Sequence, residues 1–220
     1  MKRVIVLFMV LVTCILGFTG CNTNANKYKP EDLGVFDTES QKSFKLGDSR
    51  ETIEKYIGKA RKDEPSDVTV SDVKYCHYGD RYLSTGNDGE LIIEYNENDI
   101  AIGFWLRPCW DEEDNRFQLP SGVSVLSTVD QFQNSYPGFT ESKDINYISV
   151  VQLRLRGSNY VTGYDKDDYA KYFDKYDNDE EYHPLSDKNW AYIYAAYDDY
   201  TEIDWIFIGY GWYNPIDFDE

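Results

Sequence analysis

Leu46-Gly47-Asp48-Ser49-Arg50-Glu51-Thr52-Ile53-Glu54-Lys55-Tyr56-Ile57-Gly58 is the stretch from which the fold is read. Asp48 is placed to cap a helix, with Glu51 three residues on in a capping-box arrangement. Ile53, Tyr56 and Ile57 then fall at helical spacing, and Gly58 is placed to stop the helix. The pattern predicts a short helix over 49–57 with one apolar stripe. At an offset of 79 it returns: Ser127 falls on Asp48, Asp130 on Glu51, Phe132 on Ile53 and Tyr136 on Ile57, and Pro137-Gly138 supplies the stop.

Strand signals follow each helix. In the first half they cover Val68 to Tyr78, Arg81 to Ser84, Leu91 to Tyr95 and Ile100 to Leu106, with turns at 87–89 and 96–99. In the second they cover Ile148 to Leu155, Tyr160 to Tyr164, Trp190 to Tyr197 and Ile203 to Tyr210. In each half a strand ends in Tyr (Tyr95, Tyr197), an acidic turn follows, and an aromatic strand closes the unit. The expected fold class is α+β: two tandem helix-plus-antiparallel-meander modules. They span 43–110 and 123–220, are joined by an acidic linker at 111–122, and the second carries an acidic insert at 165–188.

The chain begins Met1-Lys2-Arg3, runs apolar from Val4 to Phe18 apart from Thr13 and Cys14, and then reads Thr19-Gly20-Cys21. A basic start and a short apolar run mark an export signal, and a permanent spanning helix needs roughly 20 apolar residues. Residues 1–20 therefore read as a signal peptide and 21–42 as a polar tether. Gly20-Cys21 resembles the bacterial lipobox, with Phe18 where Leu is usual. The resemblance implies cleavage before Cys21 and a diacylglycerol on its sulfur, which places the chain on the extracytoplasmic face of the cell membrane. A plain secretory signal with a chance cysteine is the alternative.

The formal net charge is -18, and loss of Lys2 and Arg3 with the signal makes the mature chain more acidic still. That balance excludes nucleic acid, whose binding needs clustered Lys and Arg. It suits cationic partners, divalent metal ions or simple solubility. With Cys14 in the signal and Cys21 lipidated, Cys76 and Cys109 remain as a disulfide candidate in an oxidising compartment. Closing that loop would contribute about 3 kcal/mol; a free buried pair or a metal site are the alternatives.

Signals for chemistry are sparse. His77 and His183 are the two histidines, and neither stands in a metal spacing. Adjacent strand residues point to opposite faces, so Cys76 and His77 cannot act as a nucleophile–base pair. The acidic runs 165–168 and 174–179 lack the Gly and Glu that an EF-hand loop requires. No catalytic residue, metal ligand or cofactor is expected. The aromatic residues say more. Trp190, Tyr192 and Tyr194 share one strand face, with Ile193, Ala195 and Tyr197 on the other. Farther on, Ile206, Ile208, Tyr210 and Trp212 alternate with Trp205 and Phe207. One helix covers only one face of a sheet, so rings on both faces are either exposed for contact or covered by another part of the chain. The binding-face candidates are Trp190, Tyr192, Tyr194, Trp205, Tyr210 and Trp212.

Leu46-Gly47-Asp48-Ser49, Ile53, Ile57-Gly58, Tyr95 and Gly103-Phe104-Trp105, with the repeated layout, resemble the tandem-repeat fold of β-lactamase inhibitory protein. They also resemble the single-module small lipoproteins of outer-membrane assembly. The likeness covers about residues 43–216. It implies a concave β face and a non-catalytic protein binder. The expected function is a membrane-anchored extracytoplasmic protein-binding module, with an enzyme inhibitor as one version. An envelope scaffold or assembly factor and a carbohydrate-binding lipoprotein are the alternatives. An exposed Tyr and Trp patch on the open sheet face is the mark of the binding module; finding those rings buried would sink it.

Overall fold

In a computed structural model describing residues 26–61, 68–70, 73–81, 89–108, 115–142, 147–162, 188–197 and 201–211, the two apolar stripes form α1 (Arg50–Ile57) and α2 (Val129–Ser135). Each helix is capped one residue later than the sequence suggests. Ser49 Oγ accepts from Thr52 N, and Thr128 forms a reciprocal box with Gln131 at 3.2 and 2.9 Å. Asp48 and Ser127 instead accept from Lys45 N and Ser124 N, both at 2.9 Å, closing the turn that leads into each helix.

Thirteen strands are present among the described residues. β1 (Lys27–Tyr28), β2 (Gly34–Asp37) and β3 (Lys42–Lys45) precede α1. β4 (Val68–Val70), β5 (Val73–Arg81), β6 (Gly89–Tyr95), β7 (Ala101–Leu106) and β8 (Phe117–Gln118) lie between the helices. β9 (Thr140–Ser142), β10 (Tyr147–Arg156), β11 (Asn159–Thr162), β12 (Trp190–Tyr197) and β13 (Trp205–Tyr210) follow α2. Ten of them form one sheet in the order β1-β11-β10-β12-β13-β7-β6-β5-β4, with β9 paired to β10, and β3-β2-β8 form a small second sheet.

This corrects the expected α+β class. The fold is β-rich, about half strand, and its only α-helices among the described residues have eight and seven residues. Nor do two helix-plus-meander modules form: the strands expected to close each unit pair with each other, Leu106 with Ile206 and Gly103 with Gly209, so one sheet runs through both halves. The reason is local. β7 and β13 are apolar on both faces, as suits the middle of a sheet and not its edge. Residues read as tether also enter the fold, since β1 pairs with β11 and β2 with β3 and β8.

What recurs between the halves is a backbone clip. Gly47 N donates to Ala101 O and Ala101 N to Asp48 O, both at 2.9 Å; Leu126 N donates to Ile203 O and Ile203 N to Ser127 O at 2.8 and 2.9 Å. The clip turns the chain sharply, with φ of +91° at Gly47 and +67° at Leu126. It fastens each helix start to the strand that enters the sheet centre.

The main core lies on one face of the large sheet. Ile53 and Ile57 of α1, Phe132 of α2, Val35 and Phe44 of the small sheet, and Phe104, Ile193 and Ile206 of the large one join in a single buried cluster. Two buried carboxylates brace it. Asp37, fully buried, accepts from Arg116 Nε at 2.6 Å and Nη2 at 3.1 Å, and the same guanidinium reaches Ile57 O at 3.4 Å. Glu54 accepts from Arg50 Nε at 2.9 Å, from Lys59 Nζ and from Tyr78 Oη at 3.2 Å. Burial pushes both carboxyls up, but the bonds from Arg116 and Ser40 to Asp37, and from Lys59 and Arg50 to Glu54, outweigh it and hold them below the usual range.

Candidate functional site

The opposite face of the sheet carries a second, aromatic cluster. Strand pairing lays it out in rows. One row runs His77–Ile92–Trp105–Phe207–Tyr194 across β5, β6, β7, β13 and β12. Its neighbour runs Tyr75–Glu94–Gly103–Gly209–Tyr192, and Trp205 pairs with Ala196 on the other side. Because side chains alternate along each strand, these residues share a face turned away from Phe104, Ile193 and Ile206.

The rings pack against one another in stacked and tilted pairs. Centroids stand 5.1 Å apart for Trp105 and Trp205, 4.4 Å for Trp105 and Phe207, 5.2 Å for Tyr192 and Phe207, and 4.7 Å for Tyr194 and Trp205. Tyr194, Ala196 and Phe207 are buried, while Trp105, Tyr192 and Trp205 are half-buried and carry the solvent-facing edge of the cluster.

Glu94 lies within this layer and is only 2% exposed. Its Oε1 accepts a 2.6 Å hydrogen bond from Trp105 Nε1. Its Oε2 has no hydrogen-bond partner among the described residues. The carboxyl reaches over Gly103, where a Cβ would stand 2.6 Å from Oε2 and 3.1 Å from the Phe207 ring, so only glycine leaves room for it. Burial pushes Glu94 up to about 7 against the opposing pull of the Trp105 bond. Tyr75, paired with it, is also pushed up, by burial first and then by the Glu94 charge. A carboxyl in this setting can exchange a proton near neutrality and can accept a donor at Oε2.

The binding-face candidates divide. Tyr192 and Trp205 lie half-buried in the aromatic cluster. Tyr194 belongs to it but is 7% exposed. Trp190 is 6% exposed and lies under the Arg154 guanidinium, 5.3 Å from the ring centroid. Tyr210 is 7% exposed and belongs to the main core, on the other face. Trp212 lies outside the described residues. Among the five described candidates no broad exposed patch forms, and a narrower edge replaces it. Sequence reading missed Trp105 and Glu94. The signal was a charge inside the apolar run Leu91-Ile92-Ile93-Glu94-Tyr95, opposite a glycine in the next strand.

Cys76 is buried in β5; Cys109, its candidate partner, lies outside the described residues, as do Cys21, His183 and the acidic insert. Among the described residues no group of three or more His, Cys, Asp or Glu could hold a metal ion. No protein-family model, no curated protein and no solved structure matches the chain. The likeness to β-lactamase inhibitory protein thus rests on the quoted residues alone.

Proposed function

We propose that this chain is a lipid-anchored, extracytoplasmic, non-catalytic binding protein that contacts a protein partner through the edge formed by Trp105, Tyr192 and Trp205. The observation that carries the reading is the layered aromatic face. Half-buried Trp and Tyr rings, held rigid by buried Phe207 and Tyr194, give large amphipathic contact area at low entropic cost. Cys21 supplies the anchor in this reading, and the acidic body favours a basic partner.

The test is a pull-down with the mature chain from residue 22 onward, which contains every described residue, against secreted and membrane fractions of its own cells. The expected result is one stoichiometric partner, lost on Tyr192→Ala and on Trp105→Ala while circular dichroism stays unchanged. Failure to recover a partner across a range of salt, or recovery indifferent to both substitutions, refutes the reading. Radiolabelled palmitate incorporated by wild type and not by Cys21→Ser tests the anchor separately.

A further inference from the structure

A buried acceptor without a donor destabilises the fold, because it has lost its water and gained nothing in return. Glu94 Oε2 is such an atom. The residues that pair with Glu94 on its face, or stand one pair away, are Tyr75 and His77 of β5, Ile92 of β6, and Gly103 and Trp105 of β7. None is a Lys or Arg. The ammonium of nearby Lys74 is committed to Asp99 Oδ1 at 2.9 Å. The row continues through Gly103 and Gly209, which bring no side chain, to the half-buried Tyr192. Oε2 thus lies buried over Gly103 beside the Phe207 ring, behind the half-buried Trp105 and Tyr192.

We propose that Glu94 and the rings around the Gly103–Gly209 pair form an anchor site for one cationic side chain, an arginine or lysine of the protein partner. The inference rests on the binding-protein reading above and adds the chemistry of what the face receives. A guanidinium or ammonium supplies the donor that Oε2 lacks. Aromatic faces attract cations, the more strongly when water is excluded. The net charge of -18 draws a basic surface toward the molecule. The arriving charge favours the ionised carboxyl, so binding releases a proton and tightens as pH rises through about 7. His77 is the histidine on this face, paired with Ile92 beside Glu94.

The experiment titrates the mature chain with a hexa-arginine peptide, followed by tryptophan fluorescence at pH 6 and pH 8. Glu94→Gln is compared with Glu97→Gln, which removes the same charge from the exposed turn before β7. The expected result is binding at least about tenfold weaker in Glu94→Gln, within about twofold of wild type in Glu97→Gln, and tighter at pH 8 than at pH 6 only when Glu94 is present. Equal losses in the two variants, or no binding by wild type, overturns the proposal. The pull-down separates the two claims. A partner kept by Glu94→Gln but lost by Trp105→Ala leaves the binding reading standing and removes the cationic anchor; a partner lost by both supports the anchor.

Discussion

Replacing Glu94 by Gln perturbs one buried proton and little else, so its effect on stability can be worked out. In the unfolded chain the carboxyl titrates at its ordinary 4.5, and in the folded protein burial pushes it up to about 7. Between those values the folded state holds a proton that the unfolded state has released, so stability falls as pH rises through that window. Below 4.5 both states are protonated and the carboxyl carries no penalty. Above 7 both are ionised and the penalty is complete. At about 1.4 kcal/mol per pH unit, the displacement amounts to about 3 kcal/mol. Gln keeps an acceptor for Trp105 Nε1, fits over Gly103, and never ionises.

Urea unfolding of both proteins at steps from pH 4.5 to 8 reads this directly. Glu94→Gln is expected to match wild type at the acid end and to gain up to about 3 kcal/mol at pH 8. Asp37 and Glu54, held below the usual range, act the other way, since their contribution is present at neutral pH and lost in acid. They are common to both proteins, so the difference between the curves isolates Glu94. A difference that stays constant with pH, or that favours wild type at pH 8, would refute the reasoning.

Three further outcomes are expected. Arg116→Met strands the fully buried Asp37 carboxylate and is expected to cost about 3–5 kcal/mol in urea unfolding at pH 7. Thr128→Ala removes the α2 cap and half of its reciprocal box, lowering stability by about 1 kcal/mol in the same assay. Gly103→Ala drives a methyl against Glu94 Oε2 and the Phe207 ring, so a loss of about 1–3 kcal/mol and a shifted Trp105 fluorescence spectrum are expected.

Local signals in the chain were legible and non-local ones were not. The stripes Ile53–Ile57 and Phe132–Tyr136 announced both helices, because helical spacing is a property of neighbours. The caps slipped by one residue because Asp48 and Ser49, like Ser127 and Thr128, both have side chains able to cap, and only the geometry of the preceding turn decides which does. β1 and β2 were hidden in a polar stretch whose few apolar residues, such as Val35, find their partners far along the chain. The pairing of β7 with β13 joins residues about a hundred positions apart; the two apolar faces of each strand mark it as central, but nothing local names its partner. That pairing also alters the meaning of the aromatic residues. In an edge strand, rings on both faces would imply exposure and a binding role. In the centre of a ten-stranded sheet, rings such as Phe207 and Tyr194 are accounted for by burial alone. The case for a site therefore cannot rest on aromatic content. It rests on what central packing does not explain: a carboxyl oxygen buried without a donor, a glycine whose side-chain space that carboxyl fills, and three rings that stop short of full burial.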